Sequence, residues 1–146
     1  MPRGKSKKLP QVDRIFVDAD AFVALLDKKD PSHRPAKKLN NQIEKANYTA
    51  FTSNFAIGEA ITVISQNASH KLAIAFGEKV FANEIFIIDV NRRHQIAALK
   101  KFSTQKSKNA RFTDFVNMVL MDELGIETIF SFDKHYQKGG YKLLGD

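Results

Sequence analysis

An α/β fold, with a central and mainly parallel sheet covered by helices on both faces, follows from two observations on the sequence. Short β-branched and aromatic runs alternate along the chain with segments of helical periodicity, and the loops between them are short. Strands joined through helices in this way lie parallel to one another. The second observation is a change of period inside the stretch Thr113 to Tyr136. From Asp114 to Leu124, Phe115, Val116, Met118, Val119, Leu120, Met121 and Leu124 wrap most of a helix, and Gly125 supplies a left-handed stop. From Glu127 to Phe132 the residues are β-branched and aromatic, a strand that ends abruptly at Asp133 and Lys134. A helix of about 11 residues rises about 16 Å, and a strand of about 6 residues covers about 20 Å. The strand therefore returns the chain to the edge where the helix began, and Asp114 and Asp133 meet there. That edge, at the carboxyl ends of the strands, is where open α/β sheets bind ligands.

The other elements follow in order. Arg14 to Val17 reads as a first strand, Asp18-Ala19-Asp20 as an acidic turn, and Ala21 to Leu26 as the start of a helix. Asp30 to Pro35 breaks the chain, and Ala36 to Ala46 is polar enough for an exposed helix. Tyr48 to Thr52 reads as the second strand, with Ser53 and Asn54 offering caps for a helix over 55–66. A helix over 70–81 precedes Glu84 to Val90, whose apolar run predicts a buried strand. A helix over 92–102 with Ile96, Leu99 and Phe102 inward, a basic loop from Ser103 to Ala110, and a last strand from Tyr141 to Leu144 after Gly139-Gly140 complete the set.

Composition narrows the chemistry. The chain has 146 residues and no cysteine, which excludes disulfides and thiolate metal sites. No apolar run approaches the roughly 20 residues of a membrane span, and the basic N-terminus is not followed by an apolar stretch, so a cytoplasmic, membrane-free protein is expected. Residues 1–12 read as a basic, disordered tail and 13–146 as one domain. Of the formal net charge of +7, four units belong to Arg3, Lys5, Lys7 and Lys8. Arg92, Arg93, Lys100, Lys101, Lys106, Lys108 and Arg111 form a second basic run without an intervening acid, leading straight into Asp114. Such a run is either a solvated face or a phosphate-binding patch, and Arg92, Arg93, Lys106, Lys108 and Arg111 are its candidates for phosphate contact.

Asp18 and Asp133 end parallel strands, Asp114 starts a helix at the same edge, and Glu59 sits in the otherwise apolar Ala56 to Val63. Each has an ordinary explanation when taken singly: a cap for Asp18 or Asp114, a turn for Asp133, an ion pair for Glu59. Their convergence on one edge weakens those explanations. Like charges about 4 Å apart repel by about 4 kcal/mol at an effective dielectric of 20, so four carboxylates need a compensating cation. Magnesium or manganese suits an oxygen ligand set and the hydrolysis of phosphodiesters.

With these residues assembled, the chain resembles the PIN-domain ribonucleases, and among them the toxins of VapBC toxin–antitoxin pairs. The resemblance runs from Ile15 to Leu144 and is carried by Phe16 to Leu26, Thr52 to Ala60, Phe112 to Val116 and Phe130 to Tyr136. It implies a three-layer α/β/α sandwich, a homodimer, a cognate antitoxin and Mg- or Mn-dependent endonuclease cleavage of RNA. It also implies catalytic and metal-binding roles for Asp18, Glu59, Asp114 and Asp133. Where the family commonly has a small hydroxyl or amide residue, this chain has Asp20, a helix cap, a support for the ligands or a fifth acid; Thr113 is a second candidate support.

Three rival readings remain at this level. A processing nuclease without an antitoxin shares every residue named. A non-catalytic RNA- or partner-binding module gains nothing from acids in its crevice. A haloacid-dehalogenase-type phosphatase uses an Asp-x-Asp pair such as Asp18 and Asp20, but needs a later acidic pair where this chain has only Asp133.

Overall fold

The computed structural model describes residues 13–82 and 85–146. The basic tail, residues 1–12, and Glu84 lie outside the described residues. The elements run β1 (Arg14–Val17), α1 (Ala19–Leu26), α2 (His33–Lys45), β2 (Thr49–Ser53), α3 (Asn54–Asn67) and α4 (His70–Ala82). They continue β3 (Phe86–Ile88), α5 (Arg92–Thr104), α6 (Phe112–Leu124), β4 (Thr128–Phe130), α7 (His135–Lys138) and β5 (Lys142–Leu143).

All strand pairings are parallel, in the order β3-β2-β1-β4-β5. The chain lays β2 and β3 outward on one side of β1, then crosses over and lays β4 and β5 on the other. The reversal falls between β1 and β4, paired through Phe16 with Ile129 and Val17 with Phe130. Loops diverge at such a switch point and leave a crevice above the strand ends.

The pleat of β1 shows how one strand serves two cores. Ile15 and Val17 pack with Ala21, Val23, Ile57, Ile64 and Phe76 beneath α1 to α4. Phe16 faces the other way, against Val116, Leu120, Met121 and Tyr136 of the α6 side. Alternate side chains of a strand leave opposite faces, which makes three layers from a single sheet.

Caps fix where the helices begin and end. The Asp18 carboxylate accepts the Ala19 N–H at 2.8 Å, and Ser53 Oγ accepts the Ala56 N–H at 3.0 Å. Asn91 and His94 close a reciprocal capping box on α5. Gly125 ends α6 at φ 69°, and the Ile126 N–H reaches back to the Met121 carbonyl at 2.9 Å. The helix over 33–45 starts earlier than its sequence suggests, because Pro35 falls in the first turn, where a missing N–H costs nothing.

Two expectations are corrected. The apolar run before Val90 forms only a three-residue strand at the sheet edge, and Phe86 stays 55% exposed, stacked on Phe51 with ring centroids 5.1 Å apart. A hydrophobic run marks a strand but does not say how many neighbours it has. On α5, Ile96 and Leu99 point to solvent at 63% and 56% exposure, while His94 and Ala98 are buried. His94 turns inward because Asn91 N–H donates to its Nδ1 at 3.1 Å and Glu123 lies 3.1 Å from its Nε2, and Ala98 lets α5 approach α6 closely.

Candidate active site

The crevice at the switch point is built from four separated parts of the chain. Asp18, on leaving β1, is 6% exposed. Its Oδ1 accepts from Ala19 N–H and from Asn117 Nδ2 at 3.0 Å, and its Oδ2 accepts from Ser131 Oγ at 2.9 Å. Asp114, in the first turn of α6, is 3% exposed. The Arg111 N–H donates to its Oδ2 at 3.0 Å and the Tyr136 hydroxyl to its Oδ1 at 3.3 Å. Asp133 follows β4 and accepts from the His135 N–H at 2.9 Å, with His135 Nδ1 at 2.6 Å from the same oxygen. Glu59, on α3, is half-buried and paired with the Arg111 guanidinium.

Asp20 joins them as a fifth acid and does not cap α1, the role Asp18 fills. Its Oδ2 accepts from Phe132 N–H at 2.9 Å and lies 3.3 Å from Ser131 Oγ. Asp18, Asp20, Glu59, Asp114 and Asp133 all line one cavity of about 250 Å³, together with Arg111 and Phe132. Thr113 is not among the lining residues.

Burial sets the electrostatics. It raises the Asp18 carboxyl to about 7, with the charges of Asp20 and Glu59 adding to it and hydrogen bonds from Ser131 and Ala19 opposing it. Burial likewise raises Asp114 to about 7 against the Arg111 N–H, with Asp18 and Asp133 adding to the shift. Asp20 rises to about 6 for the same first reason, opposed by Phe132 N–H and Ser131. Near neutral pH Asp18 and Asp114 are still protonated in part, and a cation would displace those protons.

Arg111 is the one basic residue lining the cavity among the described residues, against five acids. Asp20 Oδ1 is buried with no hydrogen-bond partner among the described residues. Ligand atoms of Asp114, Asp133 and His135 lie within 4.8 Å of one another, a span an ion can bridge. An oxygen-rich donor set with a single cationic side chain beside it fits a hard divalent cation.

Three residues that the sequence reading passed over hold this arrangement. Asn117 is fully buried, and its Nδ2 donates both to Asp18 and, at 2.9 Å, to Tyr136 OH. Burial and the Asp18 and Asp114 charges push the Tyr136 pKa well above its ordinary range, so its hydroxyl remains a donor. Ser131 Oγ stands between Asp18 and Asp20 and accepts the Asp133 N–H at 3.1 Å. An amide inside the apolar run of α6 was the available signal for Asn117.

The basic candidates separate. Arg111 lines the cavity, and the loop before it is anchored beside Asp133 by Ser107 Oγ, 3.1 Å from His135 Nε2, leaving Lys106 and Lys108 exposed. Arg93 instead pairs with Glu123 at 2.5 Å, nine positions and about 14 Å of helix rise from Asp114. Arg92, at the start of α5, does not line the cavity.

Comparison with known proteins places this geometry among relatives. A family model described as PIN domain matches residues 15–140. The 23S rRNA-specific endonuclease VapC20 of Mycobacterium tuberculosis is 24% identical over 127 residues, covering 87% of this chain and 95% of that protein. The crystal structure of VapC20, described as a Sarcin-Ricin loop cleaving toxin, superposes with a TM-score of 0.80 at 23% identity, over 87% of this chain and 95% of that one. VapBC2 from Rickettsia felis, bound to a promoter DNA fragment, gives 0.58 at 14% identity, covering 89% and 96%. FitAcB from Neisseria gonorrhoeae gives 0.59 at 13% identity, covering 90% and 96%. At these identities the structural likenesses establish a shared fold.

Proposed function

The chain belongs to the PIN-domain family, and on that premise we propose that it is a magnesium- or manganese-dependent endoribonuclease, the toxin of a toxin–antitoxin pair. The observation that carries the reading is the convergence of five carboxylates, from strand ends and helix starts far apart in sequence, on one cavity at the sheet's switch point.

Asp18 and Asp114 are the ligands held most firmly, each fixed by at least two hydrogen bonds from behind. Such an ion supplies positive charge against a phosphoryl oxygen and lowers the pKa of water. Glu59 and Asp133, less buried at the cavity wall, orient the attacking water and take its proton. The water oxygen bonds to phosphorus as the bond to one bridging oxygen breaks, and that oxygen leaves with a proton. Lys106 and Lys108 lie on the loop leading to the cavity and hold the RNA backbone by charge, with Arg92 and Arg93 farther along the same basic run.

The substrate to test first is 23S rRNA, which VapC20 cuts. VapBC2 and FitAcB, similar in fold, support a cognate antitoxin for this chain. Phe81, Phe86, Ile96 and Leu99 are exposed large apolar side chains, and a homodimer that covered any of them would gain from their burial. Among the described residues no helix is long and apolar enough to cross a membrane.

The test is cleavage of 23S rRNA and of transfer RNA by the purified protein, with and without chelator, beside Asp114→Asn. Metal-dependent scission by the wild type alone supports the proposal. Equal scission by the variant removes it.

A further inference from the structure

We infer that Arg111 is an RNA-phosphate ligand whose guanidinium is released for that task when a divalent cation draws Glu59 away from it. The inference rests on the metal-dependent nuclease reading above.

Arg111 is tied to the acids twice. Its backbone N–H donates to Asp114 Oδ2, which fixes its Cα beside the cavity, while its guanidinium pairs with Glu59 from α3. Its side chain is 66% exposed and Glu59 only 24%, so the guanidinium lies at the mouth and the carboxylate faces inward. A cation entering the cavity competes with the guanidinium for Glu59, and Coulomb attraction scales with charge, so two positive units prevail over one. An ion pair this exposed is weak and gives way readily.

The freed guanidinium remains at the mouth, anchored through its backbone. Its planar fork matches two oxygens of a phosphate, a geometry that lysine lacks. Lys106 and Lys108 precede it, both exposed, on a loop held at Ser107 by His135. Metal and RNA then bind cooperatively without rearrangement of the fold, and the coupling is reciprocal.

The experiment measures binding of a short, hydrolysis-resistant phosphorothioate RNA by fluorescence anisotropy, with and without Mn²⁺, and Mn²⁺ uptake by calorimetry. In the wild type, saturating Mn²⁺ tightens RNA binding about tenfold, and in Arg111→Gln the gain falls below about twofold while Mn²⁺ binds at least as tightly. Arg111→Lys gives an intermediate gain. Without metal, Glu59→Gln binds RNA several-fold more tightly, and adding Arg111→Gln cancels that increase. Asp20→Asn removes the same charge from the same cavity but leaves the pair intact, and it does not reproduce the increase.

A full Mn²⁺-dependent gain in Arg111→Gln overturns the inference, as does loss of its Mn²⁺ affinity, which would make Arg111 a scaffold. Equal RNA binding by Glu59→Gln and Asp20→Asn overturns it as well. A wild type that takes up no Mn²⁺ overturns the underlying metal reading, and the metal-free Glu59→Gln comparison distinguishes that failure from this one.

Discussion

Asn117 Nδ2 stands 3.0 Å from Asp18 Oδ1, joining the buried middle of α6 to the end of β1 across 99 positions of sequence. The same Nδ2 lies 2.9 Å from Tyr136 OH, which donates to Asp114 Oδ1. One amide and one phenol thereby link the two most buried acids of the cavity. With their inner oxygens held, both carboxylates are fixed in orientation before any ligand arrives, and preset geometry is what an ion or a reacting phosphate requires.

Asn117→Ala removes two buried hydrogen bonds, one of them to a carboxylate. The expected cost is about 2–3 kcal/mol, read from the midpoint of urea unfolding, with about tenfold weaker Mn²⁺ binding. Tyr136→Phe removes the donor to Asp114 and the acceptor of one Asn117 N–H but leaves the Asn117–Asp18 bond, and it gives a smaller loss in both. Unchanged midpoints and affinities in these variants would show that the link between Asp18 and Asp114 is incidental.

The raised acids make stability depend on pH in a defined direction. Burial raises the Asp18 and Asp114 carboxyls to about 7 and Asp20 to about 6 in the folded protein, against an ordinary value of 3.8 in the unfolded chain. Between those limits the folded state binds more protons than the unfolded one. Their contribution to stability is therefore fully present below about pH 4 and lost as pH rises through about 7. In chelator the urea midpoint of the wild type falls from about pH 5 to about pH 8, and Asp114→Asn shows a shallower fall. A wild-type midpoint that rises over this range relative to Asp114→Asn contradicts the assignment.

Metal uptake carries the opposite side of the same linkage. On the proposed binding of the ion by Asp18 and Asp114, uptake displaces their protons, and Mn²⁺ affinity is expected to weaken as pH falls below about 7. Calorimetry in buffers of different ionisation enthalpy reads the released protons directly. Heat that is independent of the buffer near neutrality refutes the displacement.

The five acids are not expected to be equivalent. Asp18→Asn, Glu59→Gln, Asp114→Asn and Asp133→Asn each reduce RNA cleavage about 100-fold or more with the fold retained. Asp20→Asn costs about tenfold, because an amide oxygen still accepts the Phe132 N–H that the Asp20 carboxylate takes now. Cleavage assays with circular dichroism on the same preparations check both parts. An Asp20 variant as inactive as the others would place Asp20 among the acids that the reaction requires.

Far from the site, Gly125 tests the fold alone. Its φ of 69° is strained for a residue with a side chain, and an added Cβ would meet only Arg14 Nη2 at 3.5 Å. Gly125→Ala therefore costs about 1 kcal/mol through backbone conformation, without a clash. Asn at this position costs less, since it tolerates the left-handed region. The unfolding midpoint should drop in that order while Mn²⁺ affinity stays unchanged.

What the sequence revealed, and what it hid, has a physical pattern. Asp18, Asp114 and Asp133 were legible because each sits where a period changes, and parallel topology sends all such points to one edge. Glu59 stood out as a charge in an apolar helix. Asn117, Ser131 and Tyr136 were not singled out, since their partners lie 99, 113 and 22 positions away and no local period reports on them. The edge position of β3 was equally hidden: its Ile-rich run describes the faces of a strand, and its neighbours are set by the topology. On α5 the apolar spacing of Ile96 and Leu99 favoured the wrong face, because hydrogen bonds hold His94 inward.

The central claim is tested most directly by following RNA cleavage during titration of Mn²⁺ into chelator-treated protein, with uptake of the ion recorded by calorimetry on the same sample. The account predicts no cleavage at the start, recovery with a midpoint that matches ion uptake, and neither cleavage nor normal uptake in Asp114→Asn. Full cleavage in chelator, or recovery in Asp114→Asn at the wild-type ion concentration, would contradict it.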